Sequence, residues 1–472
     1  MWNKIIYCLL LFSISLHSQN KVTKTKYNVL LLIIDDLRPE LGCYSKPYVK
    51  SPNIDKLASQ GILYTQSYCN VAVCGASRAS LFTGLYPNRD RFLVAATHID
   101  EDAKGVTTLP QLFKEKGYTT ISYGKVFHIA NDGMQSWTEA PWHPQFKSDY
   151  KEAEIWADYK SAENLNKDNK SGPAWEKADV NDEGYHSGKI AQKAVARLEA
   201  LAKEDKPFFM AVGLIKPHLP FNAPAKYWDM YSEADIKLAP NPFLPEQAPK
   251  AALFNSLELR SYKNIPKGDT LVNSQTAKML KHGYLACVSY SDALVGQVLD
   301  ELKKTGLDKN TIVILLGDHG FSLGEHTFWG KHTCFDTSFK VPLIIKVPGI
   351  KPAKNASLIS YVDLYPTICD WVGIAKSDHL QGKSKQIDLK DSEKKVEVVF
   401  SRFGNGETII TDQYAYTEYY NLKTRKYASR MLYDHYKDPL ENVNVSEKAE
   451  YASIVERLSK KLKEHIGKVN KN

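Results

Sequence analysis

Three continuous apolar runs stand out along the chain, and each ends in charged or histidine residues. They are 27-YNVLLLIIDDL-37, 207-PFFMAVGLIKPH-218 and 310-NTIVILLGDHG-320. Runs of this kind are typical of strands buried on both faces of a parallel or mixed sheet. Because ligands bind at the carboxyl edge of open α/β sheets, the polar residues that end each run are candidate site residues.

Helical patterns separate the apolar runs. The predicted helices cover residues 53–60, 107–117, 185–203, 274–304 and 361–373. The second begins after an N-cap threonine and closes on a glycine. Strands that alternate with helices predict the α/β class, with a large domain in which helices flank a central mixed, mostly parallel sheet. Residues 130–182, rich in Trp, Pro, Asn and Asp, are predicted to form long loops.

The composition and the pattern of apolar residues change after Gly373. Residues 376–395 are polar and lysine-rich, which favours a linker or surface loops. Strand-like pieces follow at 396–403, 408–420 and 430–436, and a last helix is predicted at 447–466. This order predicts a small C-terminal α+β domain with an antiparallel sheet. We place the large domain at residues 20–375 and the small one at 376–472.

The N-terminus has the pattern of an export signal. In MWNKIIYCLLLFSISLHSQN a lysine precedes an apolar run from Ile5 to Leu16, and small and polar residues follow. The run is too short to span a bilayer, so we predict a signal peptide at residues 1–19, cleaved near Ser18 or Gln19. The mature protein is then expected in a periplasm or the medium. No later apolar run reaches the length of a membrane span.

The net charge and the spacing of the cysteines bear on which classes of protein fit this sequence. The net charge of +8 over 472 residues comes without a dense Lys/Arg tract, which argues against a nucleic-acid partner. Six cysteines remain after the signal peptide is removed, at irregular spacing and without a C-x-x-C motif. This spacing predicts neither a zinc site nor a disulfide framework, and it leaves any pairing open.

The segment 71-VAVCGASRASLFTG-84 carries the candidate nucleophile. Cys74 and Arg78 are four residues apart, so on a helix they share a face. Free N–H groups at a helix N-terminus and a nearby guanidinium both favour negative charge, which suits a nucleophile attacking an anionic ester. Taken alone, this spacing more often marks a structural cysteine beside a surface arginine.

The longer string 74-CGASRASLFTG-84 resembles the signature C-x-(P/A)-S-R-x-x-L-x-T-G of the type I sulfatases, which have the alkaline phosphatase-like fold. The resemblance implies that a maturation enzyme oxidises Cys74 to formylglycine (3-oxoalanine). One hydroxyl of its hydrate attacks sulfur, and the other then expels sulfate by re-forming the aldehyde. Ala76 stands where proline is commonest in the family.

Acidic residues at two strand ends predict a cation site. Asp35 and Asp36 end one apolar run and Asp318 ends another, which gives an oxygen-rich site suited to Ca²⁺ or Mg²⁺. The resemblance implies one calcium ion, with magnesium as the less favoured choice. Its implied ligands are Asp35, Asp36, Asp318, His319 and the modified Cys74. His319 stands where many sulfatases have asparagine, and nitrogen is an unusual ligand for a hard cation.

Further motifs resemble the iduronate-2-sulfatase branch of the family. They are 124-GKVFH-128, 216-KPHLPF-221, 317-GDHGFSLGEHTFWGKHTCFDTSFKVPLIIKVPG-349 and 433-YDHYKDPLENVN-444. The resemblance implies that Lys125 and Lys331 bind the sulfate and that His128 handles the proton of the second hydroxyl. It places His218 near the leaving oxygen as general acid or hydrogen-bond donor. Alone, each of these residues is more often a surface lysine or a structural histidine.

Together these patterns predict an exported, calcium-dependent sulfatase that cleaves O-sulfate esters of a sulfated oligo- or polysaccharide. The branch points to a 2-O-sulfated uronic acid at a chain end, and other sulfated sugars, including algal ones, stay open. Two alternatives remain. One is a phosphate or phosphonate ester hydrolase on the same fold, and the other is a glycan-binding protein in which Cys74 stays a thiol. Phe321 and His332 are candidates to line the pocket.

Overall fold

The computed structural model describes residues 27–128, 131–144, 158–161, 164, 172–268, 271–386 and 398–470. The predicted signal peptide at 1–19 lies outside the described residues. Parts of the predicted loop region 130–182 and of the polar stretch 376–395 lie outside them as well.

A seven-stranded mixed sheet forms the centre of the molecule. Its strands in spatial order are Ala353–Asn355 (β12), Ile62–Tyr64 (β2), Leu343–Lys346 (β11), Thr311–Gly317 (β8), Asn28–Ile34 (β1), Phe208–Leu214 (β6) and Thr119–Gly124 (β4). Strand β11 is antiparallel to both neighbours, and the other pairs are parallel. The predicted mixed, mostly parallel sheet is confirmed.

The apolar run of β1 is explained by burial on both faces of the sheet. Val29, Leu31 and Ile33 pack into one core cluster, and the alternate residues Leu30 and Ile34 pack into another on the opposite face. A strand covered on both sides has no solvent face, so apolar and polar residues do not alternate along it.

Helices cover both faces of the sheet. One cluster contains helices Pro52–Gln60 (α1), His186–Leu201 (α5) and Ser274–Lys304 (α8), and the other contains Cys74–Thr83 (α2), Leu109–Glu115 (α4) and Leu364–Val372 (α10). Shorter helices are Ile99–Asp102 (α3), Ala225–Trp228 (α6), Leu257–Arg260 (α7) and Asp336–Phe339 (α9). The helix predicted at 361–373 begins as a 3₁₀ turn, Tyr361–Asp363, and Pro366 sits in the first turn of α10, where its missing N–H leaves no bond unmade.

In the part of the chain that the structure describes, three two-stranded sheets lie beside the central sheet. They pair Ser67–Tyr68 (β3) with Ile359–Ser360 (β13), Trp175–Ala178 (β5) with Phe221–Pro224 (β7), and Ser322–Leu323 (β9) with Trp329–Gly330 (β10). Strand β5 lies in the region for which the sequence predicted only loops. Its four residues are too few to show a period before a partner strand is known.

The C-terminal part is a four-stranded antiparallel sheet with one helix, as predicted. The strands are Val399–Phe403 (β14), Gly406–Ile410 (β15), Tyr414–Tyr420 (β16) and Tyr427–Asp434 (β17), and the helix is Ala452–Val469 (α11). The prediction of a single strand at 408–420 was wrong, because these residues belong to two strands, β15 and β16. The Thr411 Oγ1 accepts the N–H of Tyr414 at 2.8 Å and closes a turn that splits the run into two strands.

This small sheet is packed on both faces. Val399, Ile410 and Tyr433 belong to the core cluster shared with α2 and α10, whereas Ile409 and Leu432 pack against α11. The boundary at 375/376 stays a prediction.

Two features relate to the predicted export of the protein, namely the state of its cysteines and the length and polarity of its helices. All six cysteines of the described residues are free thiols. Within the described ranges, every helix is too short or too polar to span a bilayer.

Candidate active site

Four adjacent parallel strands, β8, β1, β6 and β4, bring their carboxyl ends to one edge of the sheet. Asp35 follows β1, Lys125 follows β4, His218 lies four residues after β6, and Asp318 follows β8. The sequence placed Asp35, His218 and Asp318 at strand ends, whereas Lys125 was singled out only by the family resemblance, and strand β4 before it was not predicted. The parallel pairing makes the four strand ends neighbours.

Helix α2 delivers Cys74 to this edge as its first residue. A Cβ atom at Gly75 would collide with the carbonyl oxygen of Ala95, so only glycine allows this close approach. The Ser77 hydroxyl donates to the carbonyl oxygen of Asp318 at 2.6 Å and fixes the helix to the sheet edge. The Cys74 Sγ lies 3.0 Å from the Nε2 of His319.

Arg78 is buried, 1% exposed, rather than a surface residue. Its Nε donates to the Asp318 Oδ2 at 3.0 Å, and its guanidinium also lies 3.2 Å from the Asp35 Oδ1. It further donates to the carbonyl oxygens of Lys125 and Val126. One guanidinium therefore joins two strand-end carboxylates and neutralises part of their charge.

Asp35 is ionised in this setting. Burial alone would raise its pKa, but the charges of Lys125 and Arg78 hold the pKa of Asp35 well below its usual range. The Lys125 ammonium forms an ion pair with the Asp35 Oδ2. A carboxylate held in this way stays available as an anionic ligand.

Asp36 occupies a left-handed backbone conformation, φ 58°, which an Asp tolerates better than a branched residue does. Its carbonyl oxygen accepts from the Tyr284 hydroxyl at 2.9 Å, and its carboxylate lies 3.2 Å from the Lys331 Nζ. Burial raises the pKa of Asp36 well above its usual range, and Lys331 offsets only part of that effect because Asp35 and other carboxylates are close. A further cation is therefore favoured here.

The ring of His319 directs the lone pair of its Nε2 toward Cys74 and Asp36. Its Nδ1 lies 3.0 Å from the carbonyl oxygen of Gly320, and a carbonyl only accepts, so we assign the proton to Nδ1. Burial lowers the pKa of His319 although Asp318 acts against it, which keeps the ring neutral. The free Nε2 then faces Cys74 and lies 3.5 Å from the Asp36 Oδ1.

These groups fit a divalent cation. One ligand atom each from Asp35, Asp36, Cys74 and His319 lie within 4.8 Å of one another, and all four residues are buried. Asp318 stands beside them, accepting the backbone N–H of Asp36 at 3.0 Å. A donor set rich in carboxylate oxygens suits a hard cation, and one imidazole nitrogen is the exception.

Lys331 and His218 meet at a carboxylate that the sequence reasoning missed. The Glu258 Oε2 lies 2.8 Å from the Lys331 Nζ, and its Oε1 lies 3.1 Å from the His218 Nε2. Glu258 comes from the four-residue helix α7, in a stretch without strand ends or a regular period. No local signal in the sequence could have placed it here.

The remaining candidates are placed as follows. The Cβ of His128 lies 3.4 Å from the position of a Cβ at Gly75, which puts this histidine beside the start of α2. His332 lines a cavity next to the site, whereas Phe321 is fully buried and stacks on Tyr284 at 5.8 Å, so it packs in the core. Every residue singled out as catalytic or metal-binding thus lies at this edge, and their individual roles stay predictions.

Comparison with known proteins defines the class. The profile of the sulfatase family matches residues 27–374, and that of the C-terminal part of N-sulphoglucosamine sulphohydrolase matches residues 324–468. The chain belongs to the sulfatase family and is a sulfuric ester hydrolase. An iduronate 2-sulfatase of Mus musculus is 35% identical over 392 residues, which cover 79% of this chain and 70% of the relative. The resemblance drawn from the motifs is therefore confirmed.

Two solved structures are similar along nearly the whole chain. A protein in complex with its substrate D-glucosamine-2-N,6-O-disulfate superposes with a TM-score of 0.75 at 22% identity, covering 95% of this chain and 99% of that one. A phosphonate monoester hydrolase of Agrobacterium radiobacter gives a TM-score of 0.74 at 22% identity and covers 94% and 96%. At this identity the likeness shows the fold alone.

Proposed function

We propose that this protein is an exported sulfatase that uses a formylglycine at position 74 and a calcium ion to hydrolyse O-sulfate esters of carbohydrates. Its proposed substrate is a 2-O-sulfated uronate or a related sugar of a sulfated polysaccharide. The observation that carries the proposal is the position of Cys74, the first residue of a buried helix, 3.0 Å from His319. Three buried cations pair with the neighbouring carboxylates: Arg78 and Lys125 contact Asp35, and Lys331 contacts Asp36.

The proposed cation ligands are Asp35, Asp36, Asp318, His319 and the modified residue 74. Calcium is preferred to magnesium because it accepts more ligands in less regular geometry. The thiol of Cys74 stands where an oxygen of the modified residue would be. The cation would hold the modified residue, and one hydroxyl of its hydrate would supply the nucleophilic oxygen.

The surrounding side chains match the charge of the reaction. Lys125 and Lys331 are buried cations on two sides of the centre, and they bind sulfate oxygens in the proposed mechanism. The His218 Nε2 lies 3.1 Å from the Glu258 Oε1, and in the proposed mechanism it gives a hydrogen bond or a proton to the departing oxygen. In the proposed mechanism His128, which lies beside the start of α2, holds the proton of the second hydroxyl.

A cavity supports a carbohydrate rather than a small alcohol as substrate. It has a volume of about 550 Å³ and adjoins the site through His332, which follows Lys331 in the chain. The rings of Phe254 and Phe403 lie 5.6 Å and 5.3 Å from that of His332. Aromatic rings of this kind suit the C–H faces of sugar rings, and the volume accepts more than one of them.

The decisive experiment follows position 74 in protein from the native host. Mass spectrometry of the peptide that carries Cys74 is expected to show the aldehyde or its hydrate. The same protein is expected to release sulfate from defined sulfated oligosaccharides, and the position that is lost identifies the ester. The N-terminus of this material reports the proposed signal cleavage. A thiol at position 74 in fully active protein contradicts the mechanism.

The variant Cys74→Ala tests the assignment of residue 74 as the source of the nucleophile. We expect it to fold as the wild type does, because it removes one small buried group, and to lose turnover by at least about 10³-fold, as expected when a covalent nucleophile is removed. Sulfate release by ion chromatography measures the loss, and circular dichroism checks the fold. Undiminished turnover in this variant would refute the assignment of residue 74.

A further inference from the structure

Glu258 stands on the open side of the candidate active site. Its side chain is 23% exposed, whereas that of Lys331, which it contacts, is 3% exposed. An oxygen of Glu258, a carboxylate oxygen of Asp36 and a ring nitrogen of His218 lie within 4.8 Å of one another. The carboxylate is therefore next to the place where the resemblance puts the substrate's anion and leaving oxygen.

Glu258 changes the charge balance of this centre by one unit. Ion pairs of Arg and Lys side chains among the described residues join four carboxylates to three cations here, namely Asp35, Asp36, Asp318 and Glu258 with Arg78, Lys125 and Lys331. His218, which also contacts Glu258, is counted as neutral. A bound divalent ion brings the net charge to one positive. That charge matches a sulfate monoester, a monoanion. A phosphate monoester carries about two negative charges near neutral pH.

The negative charge of Glu258 persists near neutral pH. Burial alone would raise its pKa, but the ammonium group of Lys331, 2.8 Å away, lowers it instead. Three of the four carboxylates lie among the proposed cation ligands. Glu258 is the exception, so its charge can be changed while the proposed ligand set stays intact.

We propose that Glu258 is a selectivity residue whose negative charge disfavours dianionic phosphate monoesters relative to monoanionic sulfate monoesters. The inference rests on the proposed function of the same site. The Glu258 carboxylate repels an anionic ester at short range, and in a partly buried site this repulsion is stronger for a dianion than for a monoanion. The reaction itself is unchanged, and only the relative binding of the two transition states differs.

The test compares three aryl esters on Glu258→Gln and wild-type protein: a sulfate, a phosphate, and a phosphonate monoester, which is a monoanion like the sulfate. In the variant we expect the ratio of kcat/KM for phosphate over sulfate to rise by about tenfold or more, as one fewer charge implies. The ratio for phosphonate over sulfate stays unchanged. Glu258→Asp, which keeps the charge, is expected to restore the wild-type preference.

Binding gives a readout that does not depend on turnover. Calorimetric titration with inorganic sulfate, which is a dianion, and with methanesulfonate, which is a monoanion, is expected to show a larger gain in affinity for the dianion in Glu258→Gln. Glu246→Gln, which neutralises an exposed glutamate elsewhere, is the matched control and leaves both affinities unchanged. Glu258→Ala provides a second neutral variant if the glutamine variant folds poorly.

Two outcomes overturn the inference. Equal changes for all three esters mean that Glu258 positions His218 or Lys331 without selecting charge, and an equal rise for phosphate and phosphonate means that the selection is not by charge. A wild-type preference for phosphate would contradict the proposed function, and it is read from the wild type alone. The shift between variant and wild type still decides the role of Glu258 in that case.

Discussion

At the residue scale, the Cys74 thiol is unsuited to act as the nucleophile itself. Burial raises the pKa of this thiol well above its usual value, and the nearby Lys125 and Lys331 do not reverse the effect. A buried thiol with a raised pKa holds little thiolate at neutral pH. The weak nucleophilicity of such a thiol is consistent with the proposed conversion of Cys74 to formylglycine.

The second residue-scale feature is the hydroxyl of Tyr284. It donates to the Asp36 carbonyl at 2.9 Å and accepts from the N–H of Arg38 at 3.1 Å. These two bonds hold the left-handed turn that aims the Asp36 carboxylate. Tyr284 thus acts through Asp36 and is a positioning residue.

We predict that Tyr284→Phe weakens Ca²⁺ binding by roughly tenfold and lowers the free energy of unfolding by about 1–3 kcal/mol, because two buried backbone groups lose their partner. Titration of chelator-treated protein with Ca²⁺, and with Mg²⁺ for comparison, measures the affinity. Tyr290→Phe is the control. Tyr290 lies on the same helix as Tyr284, but its hydroxyl donates to the carbonyl oxygen of Asp182 instead, so its loss should cost stability without changing cation affinity. Equal affinity losses in both variants would count against a specific role of Tyr284.

At the element scale, helices α1 and α8 are joined by one carboxylate. Asp292, within α8, accepts the backbone N–H groups of Asn53 at 3.2 Å and Ile54 at 2.7 Å in the first turn of α1. The side chain of Ser51, the N-cap residue, does not cap this helix, so a residue 238 positions beyond Ile54 does it instead.

Asp292→Ala is expected to lower the free energy of unfolding by about 1–3 kcal/mol, since it leaves buried donors at the start of α1 without an acceptor. Chemical denaturation measures the loss. Asp292→Asn keeps one side-chain acceptor and should lose less. If the two variants lose the same amount, the cap is not the reason.

At the scale of the whole molecule, Glu441 ties the C-terminal part to the large domain. Its Oε2 accepts the backbone N–H of Asp336 at 2.8 Å, and its Oε1 lies 2.9 Å from the His435 Nε2. Asp336 begins α9, five residues after Lys331. The loop that follows β17 therefore supports the segment that supplies one of the candidate sulfate-binding residues.

This contact predicts a pH dependence of stability. Burial alone would lower the pKa of His435, but the hydrogen bond and charge of Glu441 raise it to about 8. The folded pKa is above the usual value of about 6.5, so the stabilisation is complete below pH 6.5 and is lost as pH rises through 8. Its upper limit is about 2 kcal/mol.

Unfolding free energies of wild type and His435→Gln between pH 6 and 9 test this expectation. The difference between the two proteins should be largest at pH 6 and shrink toward pH 9. A difference that is constant across this range would show that the pair does not titrate as proposed.

Local patterns predicted much of the fold because they report burial directly. The apolar runs of β1, β6 and β8 contain no polar alternation since both sheet faces are covered, and their last residues give the strand ends. The hairpin at Thr411 was missed because aromatic and apolar residues continue on both sides of a three-residue turn. The short strand β5 exists only because β7 lies beside it.

By itself the sequence determined the class of the protein, the order of its main elements, and which side chains stand at strand ends and at the start of α2. These are properties of short segments, in which periodicity and side-chain chemistry suffice. Only the tertiary structure decided that four strand ends share an edge, that Arg78 is buried between two carboxylates, and that Glu258 joins Lys331 and His218. Such contacts depend on which distant segments the packing brings within a few ångströms, and no short stretch of sequence carries that information.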